Sequence, residues 1–202
     1  MVIKVAVALL GAVCVVGPLV QTLRFRRFGR RSPWRLPAPG TMEASGWLAL
    51  AGALALLFSQ GGLVLAEHPW FGLLPALPPA PWQAPAGLAV GLAGAAVTFG
   101  SQAAMADSWR IGTDPASDRP LVTSGIFAHV RNPIYLGLIL QVLGAALLMP
   151  TAASAVAAVA AIGGLNLIVA SEERFLLDRY GDAYRAYLAR TGRFLPRGRL
   201  TS

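Results

Sequence analysis

A chain of 202 residues with 55% apolar and only 13% charged residues, and a mean hydropathy of +0.59, falls outside the soluble class, where about 25% of residues are charged. Its net charge of +8 is carried almost wholly by arginines that flank apolar runs, so positive-inside membrane topology accounts for it better than nucleic-acid binding does. Cys14 is the one cysteine and lies inside an apolar run, which leaves neither a disulfide nor a thiolate metal site.

The first apolar segment runs from about Val2 to Leu23, with only Lys4 near its start and Arg24, Arg26, Arg27, Arg30, Arg31 and Arg35 at and beyond its end. A signal peptide has the opposite polarity, so we expect a retained helix whose C-terminal end is cytoplasmic. The Pro/Gly-rich connection SPWRLPAPG leads to a second segment, about Ala44 to Ala66. Between Leu36 and Ala106 the charged residues are Glu43 and Glu67, a barer run than a soluble core needs when about 20 apolar residues span a bilayer. The following loop, EHPWFGLLPALPPAPWQAP, has no basic residue and suits an outer interface, with Trp70 and Trp82 at headgroup depth. A third segment, about Ala86 to Ala106, contains Gly87 and Gly91, a small-residue spacing that favours close helix packing.

Residues 107–132, DSWRIGTDPASDRPLVTSGIFAHVRN, form the richest polar stretch and are expected on the cytoplasmic side. Two apolar segments follow, about Ile134–Met149 and Ala152–Ala170, split by Pro150-Thr151. The first reaches about 24 Å, short of the roughly 30 Å hydrocarbon core. A tight re-entry at Pro150 makes the two an antiparallel hairpin, which returns the chain to the side it left and brings Asn132 and Tyr135 near Glu172 and Glu173. Carboxylates at a membrane boundary need partners. Arg131 or Arg119 can supply one as an ion pair, and a cationic ligand can supply another.

The C-terminal stretch EERFLLDRYGDAYRAYLARTGRFLP places Leu177, Tyr180, Tyr184, Tyr187 and Leu188 at helical spacing, as an amphipathic helix lying on the membrane or capping the loop. Gly181 in its middle costs about 1 kcal/mol against alanine, so a bend is expected there. The expected architecture is an all-α integral membrane protein, a single domain over 1–202. It has about five transmembrane helices, the last two a short hairpin, and a cytoplasmic amphipathic C-terminal helix. Residues 1–106 hold the N-terminal helices, and 107–202 the loop, hairpin and C-terminal helix. The N-terminus is expected outside and the C-terminus in the cytoplasm. The arginine and alanine bias is that of a GC-rich bacterial genome, which makes the bacterial inner membrane the expected location.

LVTSGIFAHVRNPIYLG, followed after the apolar hairpin by EERFLLDRYGDAYRAYLARTGRFLP, resembles the isoprenylcysteine carboxyl methyltransferase and phospholipid methyltransferase families of integral membrane enzymes. The likeness covers about Trp109 to Arg197. The resemblance implies an S-adenosyl-L-methionine site at the cytoplasmic face. Arg119, Pro120, Leu121 and Val122 would lie along the cofactor and Phe127 near its adenosine. Asn132, Pro133, Ile134 and Tyr135 would form the adjoining turn, with Glu172 meeting the cofactor's polar groups. A lipophilic acceptor would enter sideways from the bilayer. If that acceptor is an amine or phenol, Glu172 or Glu173 is the candidate catalytic base.

Two positions depart from the pattern. Asn132 stands where many relatives have histidine, and it cannot titrate near neutrality. Prenylcysteine enzymes carry an arginine, positioned to orient the acceptor carboxylate, where this chain has Ile168, with Asn166 the nearest polar residue. Methyl transfer from a sulfonium needs mainly alignment of two reactants, so it calls for no metal and no protein nucleophile. Two other readings stay open: an NADPH-dependent membrane reductase of the sterol-reductase type, and a non-enzymatic membrane scaffold.

Overall fold

The computed structural model of the chain describes residues 1–27, 37–68, 80–105 and 121–197. Among these residues are five α-helices, one 3-10 turn and no strand. The helices are α1 (Val2–Arg27), α2 (Met42–Leu65), α3 (Gln83–Met105), α4 (Pro133–Leu148) and α5 (Ala152–Arg190), and the 3-10 turn is Gly125–Ala128. Boundaries follow from local chemistry. The Thr41 hydroxyl accepts from the Ala44 N–H at 3.2 Å and caps α2. Pro133 opens α4, where its missing N–H is no loss. The Thr151 hydroxyl accepts from the Ser154 N–H at 3.0 Å and starts α5 directly after Pro150.

The expected re-entry at Pro150-Thr151 is therefore present, but its two helices pair mainly elsewhere: α4 packs chiefly on α3, and α5 chiefly on α2. Glycine seams explain the choice. A Cβ on Gly94 of α3 would sit 2.5 Å from the Gly137 carbonyl oxygen of α4, and one on Gly46 of α2 would sit 2.6 Å from that of Gly164 on α5. Only glycine allows these backbones to meet, as in other membrane helix pairs. Gly87 and Gly91 both serve the α3–α4 seam, and Gly91 also seats Leu10 of α1.

No separate helix begins at Glu172. The stretch from Ser171 to Tyr180 contains no glycine or proline, so α5 continues through it and breaks only at Gly181, where φ is 51° and ψ −121°. The bend expected at Gly181 is there, and the helix beyond it runs on to Arg190. Among the described residues α2, α3 and α5 are long and apolar enough to cross a membrane, while α1 over Val2–Gly17 and α4 are shorter apolar helices.

Two sets of buried polar side chains are paired within the bundle. Gln141 Nε2 donates to Thr98 Oγ1 at 3.1 Å, and Ser154 Oγ donates to Gln60 Oε1 at 3.0 Å. At the end of the bundle where α1 starts and α2 stops, Lys4 donates to Glu67 and forms an ion pair with it. That hydrogen bond and the ammonium charge hold the Glu67 carboxyl below its usual range. The opposite end of the bundle collects the starts of α2 and α4, the far part of α5 and the chain after it.

Candidate functional site

At that opposite end the segment before α4 is clamped by the chain that follows α5. Val130 bridges Gly192 in parallel, the Arg131 N–H donates to the Gly192 carbonyl at 2.9 Å, and the Asn132 N–H donates to that of Arg193 at 3.1 Å. The Tyr187 hydroxyl, beyond the Gly181 bend, donates to the Phe127 carbonyl at 2.6 Å and fixes the 3-10 turn to the same strap. The backbone groups of this short loop are thus satisfied by residues some 60 positions away in sequence.

Side chains then tie the strap to α5. Glu173 is a hub: its Oε1 accepts from Arg131 Nη2 at 3.2 Å and Asn132 Nδ2 at 3.1 Å, and its Oε2 from Arg193 Nη2 at 2.7 Å and Nε at 3.0 Å. Glu173 and Arg131 are largely buried, with side chains 15% and 11% exposed, so this network is far from a loose surface pair. Arg131 also donates to the Thr191 carbonyl. One residue earlier, Glu172 takes a different partner. The Tyr135 hydroxyl donates to its Oε1 at 2.5 Å. The motif RNPIY and the carboxylate pair therefore interlock: Arg131 and Asn132 with Glu173, Tyr135 with Glu172.

Asn132, Pro133, Ile134, Tyr135, Glu172 and Glu173 converge at one end of the bundle, with Leu121 and Val122 half-buried at the start of the described loop and Phe127 buried in its 3-10 turn. Arg119 and Pro120 lie outside the described residues, as does Trp70. Trp82 is exposed, and His68 and His129 fall at opposite ends of the bundle. Ile168 is fully buried against Gly46 in the α2–α5 seam, and the Asn166 amide donates to Ile162 in its own helix at 2.9 Å. Both are thus engaged in packing or local bonding. Among the described residues no group of three His, Cys, Asp or Glu side chains is placed to hold a metal ion.

Several residues at this end escape a reading of motifs alone. Arg193 supplies half of the Glu173 clamp. Thr191 is fully buried, and its hydroxyl has no partner among the described residues. Glu43, in the first turn of α2, is only 7% exposed, and one helical turn on the Trp47 indole N–H is buried without an acceptor among the described residues. The signal for Glu43 was available: it is one of the two charged residues in the long apolar run from Leu36 to Ala106, and ionisable residues in such runs mark function by default.

The fold and its polar end define the class: a helical membrane protein whose titratable and hydrogen-bonding groups gather where the loop before a short helix meets the far part of a long one. The sequence signature of the phospholipid methyltransferase family matches residues 82–183, half of the chain, from the start of α3 to just beyond the Gly181 bend. The chain belongs to this family of membrane methyltransferases, which is related to the isoprenylcysteine carboxyl methyltransferases. No curated protein matches the chain significantly.

Proposed function

We propose that the protein transfers a methyl group from S-adenosyl-L-methionine to a lipophilic acceptor dissolved in the membrane. The observation that carries this reading is the interlock of residues 131–135 with Glu172 and Glu173 inside the family match. It gathers the segments that the resemblance associates with the cofactor. The unpartnered groups there suit such a donor. Among the described residues the Thr191 hydroxyl is without a partner, and Glu172 has only the Tyr135 hydroxyl on Oε1. In this reading Leu121, Val122, Phe127 and the turn Asn132–Tyr135 line the cofactor, together with Arg119 and Pro120. When bound, the cofactor supplies a methyl group already activated on a sulfonium.

The protein's own work is then positioning and proton handling. Glu173, with Arg131, Asn132 and Arg193, holds the strap in place and is the positioning half of the carboxylate pair. Glu172 faces the reactants. Tyr135 fixes its Oε1, which leaves Oε2 to receive the proton that an amine or phenol acceptor sheds on methylation. Alignment of acceptor and donor at the boundary supplies the larger share of the acceleration, on the order of 7–11 kcal/mol in favourable cases. We further propose that all five helices cross the bilayer as one domain, with the N-terminus outside and this site facing the cytoplasm, in a bacterial inner membrane.

The test is ligand-induced thermal stabilisation of the detergent-solubilised protein. S-adenosylhomocysteine raises the unfolding temperature and NADPH leaves it unchanged. Stabilisation by NADPH alone would favour a reductase, and by neither ligand a non-enzymatic scaffold.

A further inference from the structure

Among the described residues, the large apolar side chains that stand exposed belong to the apolar helices, with three exceptions. Met1 begins the chain, and Trp82 sits immediately before α3. The third is Leu195, in the segment after α5. It is 71% exposed, as bare as the outward-facing Leu48 at 75% and Val159 at 73%. Those two have lipid to cover them. Leu195 lies in a polar stretch, beyond the family match, which ends at residue 183.

The fold sets the height of this leucine against the bilayer. The apolar stretch of α5 ends at Ala170, and the helix bends at Gly181. The part beyond the bend comes back, since Arg193 reaches Glu173 at 2.7 Å across 20 positions of sequence. Tyr184 and Tyr187 are buried, so this returning helix turns its aromatic face to the protein and not to lipid. Its continuation runs parallel to the segment that leads into α4, as the Val130–Gly192 bridge shows. Phe194 and Leu195 are thereby carried toward the level at which Pro133 opens α4, the edge of the apolar layer. The chain turns back there. A Cβ on Gly192 would collide with the Leu195 carbonyl oxygen, so the turn closes over a glycine and leaves Leu195 and Pro196 exposed. Arg197 secures the far end by donating to the Leu188 carbonyl at 3.2 Å and to that of Ala189.

The charge beside this turn is of one sign. Arg190, Arg193 and Arg197 flank Phe194-Leu195-Pro196 in sequence, and Arg193 is held by Glu173. Arg190 and Arg197 are exposed and have no carboxylate partner among the described residues. An apolar tip in a basic rim matches an anionic membrane surface, where the tip enters the boundary between headgroups and acyl chains and guanidiniums stay with the phosphates. We propose that the Phe194–Pro196 turn is a membrane-docking tip whose partner is an anionic leaflet of the protein's own bilayer. Leu195 enters the leaflet, and Arg190 and Arg197 bind lipid phosphates. The docked tip holds the Thr191–Arg193 strap against residues 130–132, so the polar end of the bundle closes fully only on an anionic surface.

The test is electron paramagnetic resonance of a nitroxide on Leu195→Cys, in the full-length protein carrying Cys14→Ala and reconstituted in lipid nanodiscs. Nitroxides on Ala183→Cys and Val159→Cys, both exposed positions, give the water and lipid references. In nanodiscs containing phosphatidylglycerol, oxygen reaches the label at position 195 and a water-soluble nickel chelate does not, which places it about 5–10 Å below the surface. In phosphatidylcholine alone this protection falls by about fivefold or more, and Arg190→Gln lowers it in the same sense with phosphatidylglycerol present. Amide exchange at Arg131 and Asn132, whose N–H groups donate to the strap, reads closure without a label. Leu195→Asp speeds it severalfold in phosphatidylglycerol nanodiscs. A label as open to the chelate as the one at position 183, or shielded from both reagents by protein contact, would overturn the proposal. Protection indifferent to phosphatidylglycerol would also overturn it, as would exchange unchanged by Leu195→Asp.

Discussion

Two adjacent glutamates at the same boundary have opposite fates because of what faces them. Glu173 accepts from two arginines and an asparagine, so removing it strands buried positive charge and frees the strap that follows α5. Glu173→Ala is therefore expected to lower stability by about 2–3 kcal/mol, measured as thermal unfolding in detergent, and to loosen the segment from Thr191 to Arg193. Glu172 bonds to one neutral hydroxyl, and its replacement by glutamine removes a proton acceptor while keeping the shape. Glu172→Gln should therefore retain the unfolding temperature within about 1 kcal/mol equivalent and abolish methyl transfer to an amine acceptor, followed with labelled donor. The cluster RNPIY and the double glutamate were legible as partners from their placement at the two ends of an apolar hairpin. Which glutamate takes the arginines was not, because neighbouring helix residues point about 100° apart and a sequence does not give the rotation of α5.

At the scale of elements, the glycines sort by what stands next to them. Gly94 on α3 abuts the Gly137 carbonyl of α4, so Gly94→Val overpacks the seam and should destabilise by about 1–3 kcal/mol. Gly52 on α2 has open space around the position of a Cβ, so Gly52→Ala should stabilise by about 0.5–1 kcal/mol. Unfolding temperatures of the two variants in one detergent would check the contrast. Gly181 is a third case. It also has open space, but its φ of 51° with ψ of −121° is one that side chains rarely adopt, so Gly181→Ala should cost about 1–3 kcal/mol through backbone strain alone. The helices themselves were legible from apolar run length to within a few residues. The continuity of α5 past Glu172 was not, because the change from apolar to charged composition at Ser171 reads as an element boundary although no glycine or proline stands there to break the helix. Composition changed where the surroundings change, and the backbone did not.

Over the whole molecule, polar groups divide between the two ends. One end carries the Lys4–Glu67 pair, which ties the start of α1 to the residue pair following α2. A zero-length carbodiimide cross-link between Lys4 and Glu67 should form in the folded protein and be lost on denaturation, read as a linked peptide after digestion. The other end carries the interlocked loop, hairpin start and α5, with Glu43 brought in by α2. This convergence was partly visible in the sequence, since the even return of apolar segments puts residues 132–135 and 172–173 on one side. The contribution of α2 was hidden, because helix pairing across the bundle depends on glycine seams such as Gly46 with Gly164 that no motif announces. In the reaction proposed above, a site at this end would let a water-soluble donor meet an acceptor that never leaves the bilayer. The direct test is isothermal titration of the solubilised protein with S-adenosylhomocysteine, alongside Glu172→Ala and Tyr135→Ala. Micromolar-range affinity that both substitutions weaken by about tenfold is the expected result. Absence of binding by folded wild-type protein, in detergent and in bilayers alike, would contradict the methyltransferase account at its centre.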